Sequence, residues 1–125
     1  MGTILVIDDD AILLDVVREI LELDQHEVRI ASSGAEGIEI YRENPTDLVI
    51  TDLIMPHKDG VTVIVELKAE FPKVRIIAMT GTPKLEKLAA AVSANVNRVI
   101  AKPFEQDELL EAVAQLLTDE TSPSV

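Results

Sequence analysis

Residues 47–60 read DLVITDLIMPHKDG. Leu48-Val49-Ile50 is a short continuous apolar run, and Asp52 stands where that run gives way to a segment that Pro56 and Gly60 mark as a loop. A strand that is apolar on both faces belongs in a sheet covered on both sides. An acid at the carboxyl end of such a strand lies at the sheet edge where open α/β folds bind ligands. The plainer reading is a polar strand end, so the role of Asp52 depends on what converges with it.

Working outward, short apolar runs alternate with segments of helical period, which predicts βα units around a parallel sheet. Strand one is Ile4–Ile7, followed by Asp8-Asp9-Asp10, with Asp10 as the N-cap of helix one. That helix carries an apolar stripe of Leu13, Val16, Val17, Ile20 and Leu21. Strand two, Glu27–Ala31, is more polar, as suits an edge. Ser33 caps helix two, with Ala35, Ile38 and Tyr41 on its apolar side and Asn44-Pro45 as its stop. Strand three ends at Thr51, and Asp59-Gly60 opens helix three with Ile64, Leu67 and Phe71 before Pro72. Strand four runs from Val74 to Met79 and leads to Thr80-Gly81.

Thr82-Pro83 is a helix start, since Thr caps well and Pro fits the first helical turn. Helix four then presents Leu85, Leu88, Ala89 and Val92, with Asn95 as its left-handed cap. Strand five, Arg98–Ala101, precedes Lys102-Pro103-Phe104, and helix five runs over 106–117 with Leu109, Leu110, Val113 and Leu117 inward. The expected architecture is one doubly wound (βα)5 domain over residues 1–118, with 119–125 as a frayed polar tail.

A chain of 125 residues fits one domain with a real core. Its 47% hydrophobic and 27% charged content is that of a soluble globular protein without a membrane span. Met1-Gly2 leads into Thr3–Ile7 with no basic leader, and Val6 occupies the place where an acylation signal needs Ser or Thr. A cytoplasmic location without membrane attachment is therefore expected. Zero cysteines exclude disulfides, thiol catalysis and cysteine-bound zinc. The net charge of −12 opposes direct nucleic-acid binding.

With right-handed crossovers, the carboxyl ends of all five strands share one edge, so Asp8, Asp9, Asp52, Thr80 and Lys102 should face one crevice. Singly, each is more often a cap, a turn hydroxyl or a solvated charge. Together they form a chemical set. Clustered carboxylates repel and take up protons unless a cation neutralises them, and a hard all-oxygen set suits Mg2+ with open positions for a phosphate oxygen. Lys102 and Thr80 would then hold phosphoryl oxygens, and Asp52 would be the nucleophile of an acyl phosphate, with Gly81 leaving room.

The segments ILVIDDD (4–10), DLVITDLIMPHKDG (47–60), IIAMTG (76–81) and IAKPF (100–104) resemble, in order and spacing, the CheY-like receiver domain of two-component response regulators. The resemblance spans Thr3 to Leu117. It implies strand order 2-1-3-4-5 and a phosphoryl group donated to Asp52 by a histidine kinase or phosphotransfer protein. Mg2+, or Mn2+, would be held by Asp9, by Asp8 mainly through water, by Asp52 and by the backbone carbonyl of Ile54. Thr80 and Lys102 would bind the phosphoryl oxygens, and the Lys102-Pro103 bond would be cis.

Such a domain catalyses only its own phosphorylation and dephosphorylation. It passes the signal through its helix 4, strand 5 and helix 5 face to a protein partner, an output domain or a phosphorylation-dependent dimer. Val99 departs from the family's usual aromatic or His three residues before the lysine. A stiff β-branched side chain has no such swing.

Two other classes compete with this reading. A haloacid-dehalogenase-type phosphohydrolase would use Asp8-x-Asp10 and leave Asp52 idle, with Ile12 where Thr or Val belongs. A receiver-like interaction module would work without phosphorylation. The plain readings put His26 at the surface, His57 in a solvated loop and Met55 beneath that loop. Lys84, Lys87 and Arg98 would form a small basic patch on the output face.

Overall fold

Five parallel strands form one sheet in the order β2-β1-β3-β4-β5. They are β1 (Thr3–Ile7), β2 (Glu27–Ala31), β3 (Leu48–Asp52), β4 (Ile76–Thr80) and β5 (Arg98–Ala101). The helices are α1 (Ala11–Leu23), α2 (Gly34–Glu43), α3 (Gly60–Glu70) and α4 (Gln106–Thr121), the last being the fifth helix of the sequence reading. The structure, a computed structural model, describes residues 2–53, 60–81 and 96–121, with side chains to 117. The segment with Ile54, Met55, Pro56, His57 and Asp59 lies outside the described residues. So does the predicted fourth helix with Thr82, Pro83, Lys84, Lys87 and Asn95.

Alternation along the central strands divides the core into two layers. Leu5, Ile7, Val49, Ile76 and Ala78 meet Ile38 and Tyr41 of α2 and Val63, Ile64 and Leu67 of α3. Ile4, Val6, Leu48, Ile50, Ile77 and Met79 meet Leu14, Val17 and Leu21 of α1 and Leu109, Ala112, Val113 and Leu116 of α4. Gly37 lets α2 approach the sheet, because a Cβ there would run into the Ile7 side chain.

Several details differ from the sequence reading. The buried strip of α1 is Leu14, Val17 and Leu21, with Leu13 and Ile20 half-buried and Val16 exposed. In α4 it is Leu109, Ala112, Val113 and Leu116 rather than Leu109, Leu110, Val113 and Leu117. In both cases the apolar face is wider than the strip that touches the sheet, and periodicity alone cannot place the strip within it. Ala35 is exposed, and Gly34 and Gly37 take the inward positions of α2. Strand four begins at Ile76 rather than Val74. The last helix continues to Thr121, so the polar tail starts as helix.

His26 is buried, not at the surface. It follows a helix end built as a Schellman motif: the His26 amide donates to Leu21 O and the Gln25 amide to Glu22 O, with Gln25 left-handed at φ 68°. At the other end of α1 the Asp10 carboxylate accepts from the Ile12 and Leu13 amides, as its capping role requires.

Candidate metal and phosphoryl site

Parallel register aligns the strand ends. Ile7 pairs with Thr51, Asp52 with Met79 and Thr80 with Ala101, so the residues that follow β1 and β5 emerge beside Asp52 and Thr80. The Lys102 amide donates to Thr80 O at 2.7 Å, which ties the end of β5 to that of β4. The Lys102-Pro103 peptide is cis, in keeping with the resemblance.

From there the Lys102 side chain reaches back over the sheet edge. Its Nζ lies 3.0 Å from Asp8 Oδ2 and 3.3 Å from Asp52 Oδ2. Asp8 is almost fully buried, and its other oxygen accepts the Asp10 amide at 2.9 Å. Asp9 is exposed. Carboxylate oxygens of Asp8, Asp9 and Asp52 all lie within 4.8 Å of one another. The four charged groups expected at the crevice are thus brought together, and Thr80, half-buried, ends the neighbouring strand.

The electrostatics show a deficit of positive charge. Burial is the largest influence on Asp8 and pushes its carboxyl up; the Asp10 amide and Lys102 pull it down, while the Asp52 charge adds to the rise. Burial also weighs against the Lys102 ammonium, but the Asp8 hydrogen bond and the Asp52 and Asp8 charges outweigh it and hold the amine charged. The two partners answer differently because one ammonium serves two carboxylates. Lys102 gains from the cluster, whereas Asp8 stays harder to ionise than a free carboxyl. A small hard divalent cation fits this oxygen set and would supply the missing charge.

Two contributions escaped the sequence reading in part. Gly60 sits against the peptide after Asp52: a Cβ there would collide with Asp52 O and Leu53 Cα, and its amide donates to Leu53 O at 2.9 Å. Its Gly identity marked a turn but not this backbone contact. Beside the cluster, a groove of about 510 Å³ opens between α1 and the start of α4. Leu13, Val16 and Ile20 line one side, and Lys102, Pro103 and Phe104 the other. The surplus width of the α1 stripe was its only signal. Gly81 also borders this groove, and a Cβ there would make only ordinary contact with Lys102, at 3.8 and 3.9 Å. Val99, on β5, is partly exposed. Ile54, the expected carbonyl ligand, lies outside the described residues.

A doubly wound sheet with acids, a hydroxyl residue and a lysine gathered at its carboxyl edge defines a class of small flavodoxin-like α/β domain with a candidate cation site at that edge. The chain belongs to the response regulator receiver domain family, whose model matches residues 4–114. It is similar to the chemotaxis protein CheY of Halobacterium salinarum, 34% identical over 115 residues that cover 92% of this chain and 96% of that protein. A response regulator receiver domain protein from Clostridium thermocellum is similar in structure, with a TM-score of 0.90 and 32% identity over 97% of this chain and 98% of the other. The response regulator protein TrrA of Thermotoga maritima, solved in complex with Mg2+-BeF, gives a TM-score of 0.86 and 29% identity over 93% of this chain and 99% of its own. Receiver domains generally bind Mg2+, and the acidic cluster found here is of the kind that holds it. No helix among the described residues is long and apolar enough to cross a membrane.

Proposed function

We propose that this domain accepts a phosphoryl group on Asp52 from a histidine kinase or phosphotransfer protein and relays the event to a protein partner. The observation that carries this reading is the Asp52 carboxylate held beside the Lys102 ammonium within a three-carboxylate cluster. An Asp52 oxygen attacks the phosphorus, the new O–P bond forms, and the P–N bond to the donor imidazole breaks with its electron pair returning to nitrogen. Mg2+, or Mn2+, held by Asp8, Asp9 and Asp52, supplies charge neutralisation when bound. Lys102 meets the transferred oxygens as a point charge, and the Thr80 hydroxyl donates to one of them. Water later attacks the same phosphorus, the Asp52 O–P bond breaks with its electron pair returning to the carboxylate, and inorganic phosphate leaves while the proton lost by the water passes to solvent; the domain thus catalyses only its own phosphorylation and dephosphorylation.

New bonds from Thr80 and Lys102 drive the switch. A change from mostly off to mostly on needs about 5 kcal/mol, and charge-assisted hydrogen bonds contribute roughly 1.5–3 kcal/mol each. The signal leaves through β5, α4 and the segment between β4 and β5, without an aromatic swing at Val99. The donor seats an apolar helix face with basic flanks in the groove beside Lys102. That groove is continuous with the cluster through Lys102, and the chain carries a charge of −12. Exchange with a kinase places the protein in the cytoplasm.

The phosphohydrolase reading fares worse, because Asp10 is occupied in capping α1 and Asp52, not Asp10, joins Asp8 in the cluster. The test is labelling by acetyl phosphate. Wild type labels only with Mg2+ or Mn2+ present, and Asp52→Asn does not label. Persistent labelling of that variant contradicts the assignment.

A further inference from the structure

At the opposite edge of the sheet from the acidic cluster, His26 occupies a position that phosphoryl chemistry does not use. It is buried, with 7% of its surface exposed, where the end of α1 meets the starts of β1 and β2. Its backbone is fixed by the Schellman motif, with the left-handed Gln25 immediately before it. Its Nδ1 accepts the Gly2 amide at 3.1 Å. That bond fixes the tautomer: Nδ1 must carry a lone pair, so the single ring proton lies on Nε2. Nε2 is 3.3 Å from Asp24 Oδ2 but is not aligned with it, and it makes no hydrogen bond.

What this acceptor holds is the entry of the first strand. Gly2 O receives the Glu27 amide at 2.9 Å, the first rung between β1 and β2. Gly2 also packs tightly against Leu117 of α4, where a Cβ would come within 3.0 Å of its side chain. The next residue is held separately, since the Thr3 amide donates to Asp47 Oδ2 at 2.9 Å. One imidazole lone pair therefore anchors the point where two strands and two helices meet.

We propose that His26 is a proton-operated latch on the start of β1, closed when the imidazole is neutral and opened when a proton on Nδ1 sets a donor against the Gly2 amide. The proton has no alternative place, because the other ring nitrogen already carries one. Two charges bear on the ring. Asp24, half-exposed on the turn after α1, favours the protonated form, and the amino-terminal charge opposes it. Among the described residues, two acids at this edge are engaged elsewhere: Glu27 takes the Thr3 hydroxyl and Asp47 the Thr3 amide. Burial is the largest influence and holds the imidazole below its ordinary range. A group depressed on folding stabilises the fold fully above its unfolded pKa of about 6.5, and that stability is lost as pH falls through the folded value.

The chain has two histidines, so imidazole NMR of the whole chain resolves His26 against His57, which is assigned by its disappearance in His57→Gln. His26 is expected as the Nε2–H tautomer, titrating below about 6.5. His26→Asn keeps an acceptor near the Nδ1 position and cannot titrate. Against this variant, the unfolding constant of wild type should rise at low pH by about tenfold for each unit that the folded pKa lies below the unfolded one. An Nδ1–H tautomer, a pKa at or above about 6.5, or parallel stability curves for the two proteins would overturn the latch. Should His26→Asn fail to fold, the wild-type tautomer and titration decide alone.

Discussion

Lys102 spans two carboxylates, and this contact gives the site its character. Without it, Asp8 and Asp52 would face each other across a buried edge with no cation between them. With it, the cluster is partly neutralised and still favours a divalent ion. Gly60 is the residue on which the placing of Asp52 depends in an equally direct way. A methyl group there meets backbone, which no rotamer change relieves. Gly60→Ala should therefore cost about 1–3 kcal/mol in urea unfolding and slow acetyl phosphate labelling together; unchanged stability would show that the loop has another way to close. At this scale the sequence was informative about charge and poor about burial. Asp8, Asp9, Asp52 and Lys102 could be grouped because strand ends in a parallel sheet share an edge. His26 was misplaced because its burial depends on where α1 ends relative to β1, a tertiary fact that one polar residue before a strand does not reveal.

Helix α1 joins the site to the surface. Its N-cap, Asp10, directly follows the acidic pair, its inner strip packs on the sheet, and its flank lines the groove beside Lys102. Val16 is 44% exposed on that flank, and Ile12, one turn earlier, is 77% exposed. Apolar side chains left in water next to the proposed phosphoryl site favour a partner that covers them. Val16→Glu should leave labelling by acetyl phosphate unchanged and slow transfer from a phosphorylated protein donor by about tenfold or more, the effect of a charge buried in an apolar contact. Equal transfer rates for the variant and wild type would remove α1 from the donor surface. The amphipathic period showed that α1 exists but not how it is rotated. Its apolar face is broader than the sheet requires, and the surplus that looked like core is the groove wall.

Across the whole molecule, the two edges of the sheet have separate tasks: one gathers the carboxylates, and the other secures the chain at His26. The order of the strands and of the described helices was legible because central strands buried on both faces read as unbroken apolar runs, as Ile4–Ile7 and Leu48–Ile50 do, while the more polar Glu27–Ala31 lies at an edge. Strand order followed from the family resemblance, since no single strand's pattern names its neighbours. The decisive property is which carboxylate takes the phosphoryl group. Borohydride reduces an acyl phosphate at aspartate to homoserine, and peptide sequencing then locates the modified position. After reaction with acetyl phosphate and Mg2+, homoserine is expected at position 52 alone; homoserine at position 8 or 9, or none at all, would contradict the assignment of Asp52 as the acceptor.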